Sequence, residues 1–174
     1  MRKILFIAAL MGVASLSFAQ AKAVRNFYDK YKNMENVTDL KLQGWVLKLA
    51  SSYADEAEEA RLLRKITKLR ILTMENGNLV TSQEYQSLIK GVKQDAFEEL
   101  FQIREGGQVV EFLIREKGDT ITDVLMLVNG DNGFVLLSLE GTLKFSDLND
   151  LNIEVDGSEH FKKLPDDKKD IPKA

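Results

Sequence analysis

The sequence predicts an α+β fold: one mainly antiparallel sheet of about five strands, with helices packed on one face. Three observations support this. In the first half, apolar residues recur every three or four positions, as they do along helices. From Phe97 onward they alternate with polar residues, as they do along strands. Short stretches containing Gly and Asn separate these runs, as turns require.

The first half predicts a βαβα order after a short N-terminal helix. That helix is indicated by four apolar residues at helical spacing: Val24, Phe27, Tyr28 and Tyr31. Strands are expected over 37–42 and 66–75. A second helix between them is indicated by Trp45, Val46, Leu49, Ala50 and Tyr53. The charged segment 55–65 either prolongs that helix or begins another.

The longest helix is expected to start at Thr81 or Ser82, because either side chain can cap it and Glu84 follows in the first turn. Its apolar stripe is Tyr85, Leu88, Ile89, Val92 and Phe97. Gly91 lies inside this helix, which is tolerable if another backbone packs close to it.

The second half predicts a β-meander. A short strand over 100–104 precedes longer ones over 108–116, 120–128 and 134–140. The last two are joined by Asn129–Gly133, which is best explained as a plain turn, since Asn and Gly tolerate positive φ. The segment lacks the phosphate-loop pattern, and it lacks the alternating carboxylates of a calcium loop.

The N-terminus predicts export. Arg2 and Lys3 precede an apolar run over 4–14, and small residues at 17 and 19 mark a cleavage site before Gln20. The run is shorter than the roughly 20 residues of a transmembrane helix, so cleavage is favoured over a stable anchor. The expected organisation is therefore a signal peptide over 1–19, one domain over 20–155, and a charged tail over 156–174.

Composition excludes several function classes. The chain contains no cysteine, so it lacks the lipid attachment residue of a bacterial lipoprotein. Loss of Arg2 and Lys3 changes the formal charge from -3 to -5, which argues against nucleic-acid binding. The only histidine, His160, lies in the charged tail, so neither a Cys-His pair nor a rigid catalytic triad is expected.

The segment from Phe97 reads FEELFQIREGGQVVEFLIREKGDTITDVLMLVNGDNGFVLLSLEGTLKFSDL. Together with the earlier strand KLRILTME, it resembles a family of Gram-negative envelope proteins known as domain of unknown function 4252, over about Phe27 to Leu148. The resemblance implies an exported protein. Many members of that family are lipoproteins, from which this chain departs by lacking the cysteine. The family has no established activity, so it implies no catalytic residues.

Oxygen-bearing side chains offer two weaker possibilities. Glu98, Glu99 or Glu111 could form an acid/base pair of the kind used by glycosidases, but solvated carboxylates explain these residues better. The oxygen-rich segment 147–154 could bind calcium, but it fails the EF-hand spacing, and a capped helical turn explains it better. We therefore expect no catalytic residue, no metal ligand and no cofactor.

The last hairpin has apolar residues on both faces of its strands. If the helices cover one face, the other needs a cover, since large apolar patches are seldom left bare. The candidate interaction surface is Val124, Met126, Val128, Phe134 and Leu136. Its cover could be the N-terminal helix, another protein or second copy, or an apolar ligand. Charged residues are expected on the open sheet face: Asp39, Lys41, Lys68, Arg70, Glu111 and Arg115.

The sequence thus favours a non-catalytic, exported envelope protein that acts by protein–protein interaction. A small module for an apolar ligand is the alternative, with its pocket between the long helix and the sheet. A carboxylate-dependent hydrolase is a third possibility, which needs two carboxylates facing each other, one with a raised pKa.

Overall fold

A computed structural model describes residues 21–148, and the expectations for 1–19, His160 and 156–174 lie outside that range. The α+β prediction is confirmed, with six strands instead of about five, all antiparallel, in the order β1-β2-β6-β5-β4-β3. The elements in chain order are α1 (Lys22–Tyr31), β1 (Val37–Gln43), α2 (Gly44–Ala50), α3 (Ala57–Lys65), β2 (Ile66–Met74), α4 (Ser82–Gln94), β3 (Glu98–Glu105), β4 (Gln108–Lys117), β5 (Thr120–Gly130) and β6 (Gly133–Leu143), followed by a 3-10 turn over Phe145–Leu148.

One face of the sheet is covered by α1 and α4, and we call it the α1/α4 face. All four apolar residues predicted for α1 are buried on this face: Val24, Phe27, Tyr28 and Tyr31. Strands contribute Leu72, Leu113, Leu125, Leu127, Phe134 and Leu136. The Phe27 and Phe134 ring centroids are 5.2 Å apart. The N-terminal helix therefore covers this face together with α4.

The start of α4 follows the sequence prediction, and its Gly91 lies against α1. Thr81 caps the helix: its hydroxyl accepts from the Glu84 backbone N–H, and the Glu84 carboxylate accepts from the Thr81 backbone N–H. A Cβ atom at Gly91 would lie 2.7 Å from Ala23 Cβ of α1. Glycine is thus required where the two helices approach. Together, α1 and α4 place a continuous apolar surface over the sheet.

The opposite face, the α2/α3 face, is also apolar and also carries helices. Side chains alternate between the two faces along β4, β5 and β6, and those on this face are Val110, Phe112, Ile114, Val124, Met126, Val128, Val135, Leu137 and Leu139. Leu47 of α2 and Leu62 of α3 pack into the same cluster, as does Leu148 of the 3-10 turn. Helices therefore lie on both faces of the sheet and not on one as expected, with α2 and α3 packed against β1, β2 and β6 on this face.

The predicted interaction surface on the last hairpin does not exist as one surface. Met126 lies opposite Leu137, and Asn129 lies opposite Phe134. Even-numbered residues of β5 therefore share a face with odd-numbered residues of β6. Val124, Met126 and Val128 lie on the α2/α3 face, whereas Phe134 and Leu136 lie on the α1/α4 face. All five are buried, so none is available to a partner.

The six charged strand residues mark an open surface only at β1, where Asp39 and Lys41 are exposed. All six lie on the α1/α4 face, where Glu111 is buried and the Arg70 guanidinium lies 4.7 Å from the centroid of the buried Tyr28 ring. Beyond the helices, Lys68 pairs with Glu140 at 2.7 Å and Arg115 pairs with Asp123 at 2.8 Å. The predicted cross-strand pairing thus occurs, but with buried carboxylates at one end of the sheet.

The hairpin turn is tighter than the four or five residues expected. Pairing continues to Gly130 opposite Gly133, so only Asp131 and Asn132 form the turn. Neither adopts positive φ, contrary to the sequence argument. Glycine is needed for close approach instead, because a Cβ atom at Gly133 would lie 2.5 Å from the Met74 carbonyl oxygen.

Candidate interaction surface

Three large apolar side chains project into solvent from α2 and the turn that extends it. Trp45 is 72% exposed, Leu49 is 56% exposed and Tyr53 is 81% exposed. They are spaced four residues apart, and backbone hydrogen bonds from Ser52 to Leu49 and from Tyr53 to Ala50 continue the helical winding. We call these three residues the α2 stripe. Large exposed hydrophobic patches of this kind mark interaction sites in folded proteins.

The direction of α2 is fixed by contacts on its inner side. Its first residue, Gly44, sits so close to β2 that a Cβ atom would lie 3.0 Å from both Cα and O of Thr67. Leu47 is then the residue that enters the core. The Ser51 hydroxyl donates to the Lys48 carbonyl at 2.7 Å, and the Arg64 guanidinium donates to that hydroxyl at 3.5 Å. The stripe is therefore displayed by an anchored element.

The neighbouring edge strand adds a further apolar side chain. Leu40 of β1 is 44% exposed and lies opposite Ile71, on the α2/α3 face. Among the described strands, β1 pairs only with β2, so its other edge is open. Asp39 and Lys41 flank Leu40, and charged residues on an edge strand discourage indiscriminate strand pairing. The edge thus favours side-chain contacts through Leu40 over strand addition.

A groove of about 670 Å³ lies between the start of α2 and the end of α3. It is lined by Gln43, Gly44, Trp45, Lys48, Arg64, Lys65, Ile66, Thr67 and Thr142. Its three charged lining residues are all cations. The Lys65 ammonium is held by Asp147 at 2.6 Å, while Lys48 and Arg64 are exposed. One end of the α2–α3 pair is therefore basic and adjoins the Trp45 ring.

Of the candidate acid/base carboxylates, Glu98 is separated from the other two, whereas Glu99 and Glu111 share the α1/α4 face. Glu98 pairs with Ile114 and Glu99 with Leu113 across β3 and β4, so the two side chains lie on opposite faces. Glu99 is exposed and accepts from the Lys93 ammonium at 2.9 Å. Glu111 is buried beside α4 and accepts from the Gln102 amide at 2.6 Å. Only Glu111 has the enclosed surroundings that such chemistry requires.

The pKa of the Glu111 carboxyl is raised above its ordinary value of 4.5, first by burial and then by the Glu99 charge. Its hydrogen bond from Gln102 and the charge of Lys93 oppose the rise. Burial and the nearby Glu111 charge raise the pKa of Tyr85 as well. Glu111 Oε2 and Tyr85 Oη are both buried, and the Tyr85 hydroxyl interacts with the Glu111 carboxylate. Loss of hydration on burial is therefore the main cost of the charged form of Glu111 at this site.

Replacing Glu111 with glutamine is expected to stabilise the protein at neutral pH. Because the folded-state pKa is raised, the neutral carboxyl favours folding fully at pH values below its unfolded pKa, and that advantage disappears as the pH rises through the folded pKa. The gain from Glu111→Gln should be absent near pH 4 and reach about 1 kcal/mol at pH 7. Urea unfolding across this pH range measures it.

The exposed Glu105→Gln variant is the matched control, and its free energy of unfolding should change by less than about 0.5 kcal/mol. A Glu111→Gln variant that is less stable than the parent at pH 7 would show that the ionised carboxylate is required by the fold.

The remaining candidate residues have structural roles within residues 21–148. Asp147 accepts from the Lys144 backbone N–H at 2.6 Å and pairs with Lys65, as in a capped turn, whereas 149–154 lie outside the described residues. No group of three metal-ligating side chains occurs within residues 21–148. The space between α4 and the sheet, proposed for an apolar ligand, holds the packed side chains of Tyr85, Leu88 and Val92.

The sequence pattern indicated that α2 is a helix, but it did not indicate that three of its apolar residues face outward. The available signal was their number: Trp45, Leu49 and Tyr53 share one side, while Leu47 lies on another. A helix of seven residues cannot bury both sides against a single sheet face.

Comparison with known proteins identifies the family and little more. The sequence model for the domain of unknown function DUF4252 matches residues 31–151. No curated protein and no solved structure matches the chain. No helix within residues 21–148 is long and apolar enough to cross a membrane.

Proposed function

Since the chain belongs to the DUF4252 family, for which no activity is defined, we propose a function from its own surface: it is an exported, non-catalytic protein that binds a protein partner through the α2 stripe. The observation that carries the proposal is the outward display of Trp45, Leu49 and Tyr53 from an anchored helix. Export rests on the signal-peptide pattern of the first 19 residues.

The composition of the stripe fits protein recognition. Trp and Tyr are enriched among the residues that dominate binding energy, because each buries a large area at low entropic cost. The exposed Leu40 on β1 and the basic groove beside Trp45 provide additional apolar and polar contacts. A central apolar patch bordered by charge is the usual anatomy of a protein–protein interface.

An affinity capture experiment tests this function. The tagged protein is used to capture partners from envelope extract, beside a variant in which Trp45, Leu49 and Tyr53 are replaced by serine. The amount of partner captured by this variant should fall about tenfold or more, since three interface anchors are removed. Its thermal midpoint should change little, because the substituted side chains are mostly exposed.

The control replaces Met34 and Leu79 with serine, because both are exposed hydrophobic residues outside the α2–α3 pair. That control should retain the partner. An identical set of captured proteins for parent, stripe variant and control would contradict the proposed function.

A further inference from the structure

The α2–α3 pair has opposite charges at its two ends. Its basic end is formed by Lys48, Arg64 and Lys65 around the groove where α2 begins and α3 ends. Its acidic end is formed by Asp55, Glu56, Glu58 and Glu59, which lie in the connection after Tyr53 and in the first turn of α3. All four acidic side chains are exposed. The α2 stripe runs from one end towards the other.

We propose that the partner of this surface is a second copy of the chain, which packs α2 against α2 in antiparallel orientation; this inference rests on the proposed function. A two-fold axis through the interface brings the same patch of each copy together. With the axis near Leu49, the stripe of one copy meets the stripe of the other. The basic end of each copy then faces the acidic end of its partner.

Charge complementarity decides this orientation. A parallel arrangement would place Lys48 and Arg64 beside their own counterparts, and like charges held close together oppose association. The antiparallel arrangement gives two equivalent attractive contacts by symmetry, one at each end. The exposed stripe supplies the apolar centre, and the charges set the register.

The first test is the oligomeric state of the purified chain, measured by sedimentation equilibrium. The parent should be dimeric, and Leu49→Asp should weaken dimerisation by about tenfold or more, since it places two carboxylates at the centre. Leu79→Asp is the control, because Leu79 is similarly exposed but lies outside the α2–α3 pair. It should leave the dimer intact.

The second test exchanges charges at the two ends. Replacing all four acidic residues of the acidic end with lysine makes both ends basic, whereas Lys48→Glu with Arg64→Glu makes both ends acidic. Each variant alone should dimerise about fivefold or more weakly than the parent, because every end-to-end contact becomes repulsive. Mixing the two variants should restore a dimer of parental affinity. Circular dichroism and the thermal midpoint check that both variants remain folded.

Three results would overturn the inference. They are a monomeric parent at the highest soluble concentration, a dimer that is insensitive to Leu49→Asp, and charge variants that fail to recover on mixing. If the parent is monomeric while the serine stripe variant still loses a captured protein, the surface binds a different protein and the proposed function stands. If dimerisation and capture are both independent of the stripe, both proposals fail.

Discussion

Replacing Phe134 with alanine is expected to lower the free energy of unfolding by about 3–5 kcal/mol, the range for truncating a buried aromatic side chain. Phe134 is almost completely buried, and its ring lies 5.2 Å from that of Phe27 and 6.5 Å from that of Tyr85. These rings belong to α1 and α4, so the substitution leaves a cavity where both helices meet the hairpin. A domain stable by only about 5–15 kcal/mol would lose a large share of its stability.

Urea unfolding measures this effect, with Leu79→Ala as the control, because Leu79 is an exposed apolar residue. The control should change the free energy of unfolding by less than about 0.5 kcal/mol. A cost below about 1 kcal/mol for Phe134→Ala would mean that α1 is not packed on the hairpin.

Replacing Gly133 with alanine is expected to destabilise the protein by more than about 2 kcal/mol, through overpacking against a rigid neighbour. The new Cβ would lie 2.5 Å from the Met74 carbonyl oxygen, and this atom belongs to the backbone of the adjacent strand. Relief requires β2 and β6 to separate at the position where they pair.

Gly130→Ala is the matched control at the other side of the same turn. There the new Cβ would meet Cγ of the Gln108 side chain at 2.8 Å, and a flexible side chain on an exposed residue can move away. Thermal unfolding should therefore show a much larger loss for Gly133→Ala than for Gly130→Ala. Equal losses would indicate that the shared turn, and not the contact with Met74, limits stability.

The sequence was sufficient to predict the strands and α1, because the spacing of their apolar residues matches only one period, that of a strand or that of a helix. Val110, Phe112 and Ile114 alternate cleanly, and all three lie on the same sheet face in the structure. The four apolar residues of α1 leave a single possible inner side, which is the side that packs. The start of α4 was equally clear, since Thr81 and Glu84 form a capping box.

The sheet face on which each hairpin residue lies could not be predicted, because it depends on the pairing register between β5 and β6. Whether Phe134 shares a face with Met126 is decided by a turn of two residues, and a turn of different parity reverses the answer. The sequence indicated that both faces of the hairpin are apolar and need a cover, but periodicity does not show which helix lies on which face.

The candidate site was missed for a related reason. α2 contains apolar residues on more than one side, and the sequence does not state which side meets the sheet. Its direction follows from the close contact between Gly44 and Thr67, which are far apart in sequence. Burying Leu47 there leaves Trp45, Leu49 and Tyr53 outside.

The most direct test of the α2 stripe as an interaction surface is photo-crosslinking in living cells, with a photoreactive residue at position 49 and, in a separate strain, at position 79. Both positions carry exposed leucines of comparable accessibility. A discrete protein adduct at position 49, a second copy of this chain included, with none at position 79 is the predicted result. Adducts of equal yield at the two positions, or none at position 49, would contradict the assignment of the α2 stripe as the binding surface.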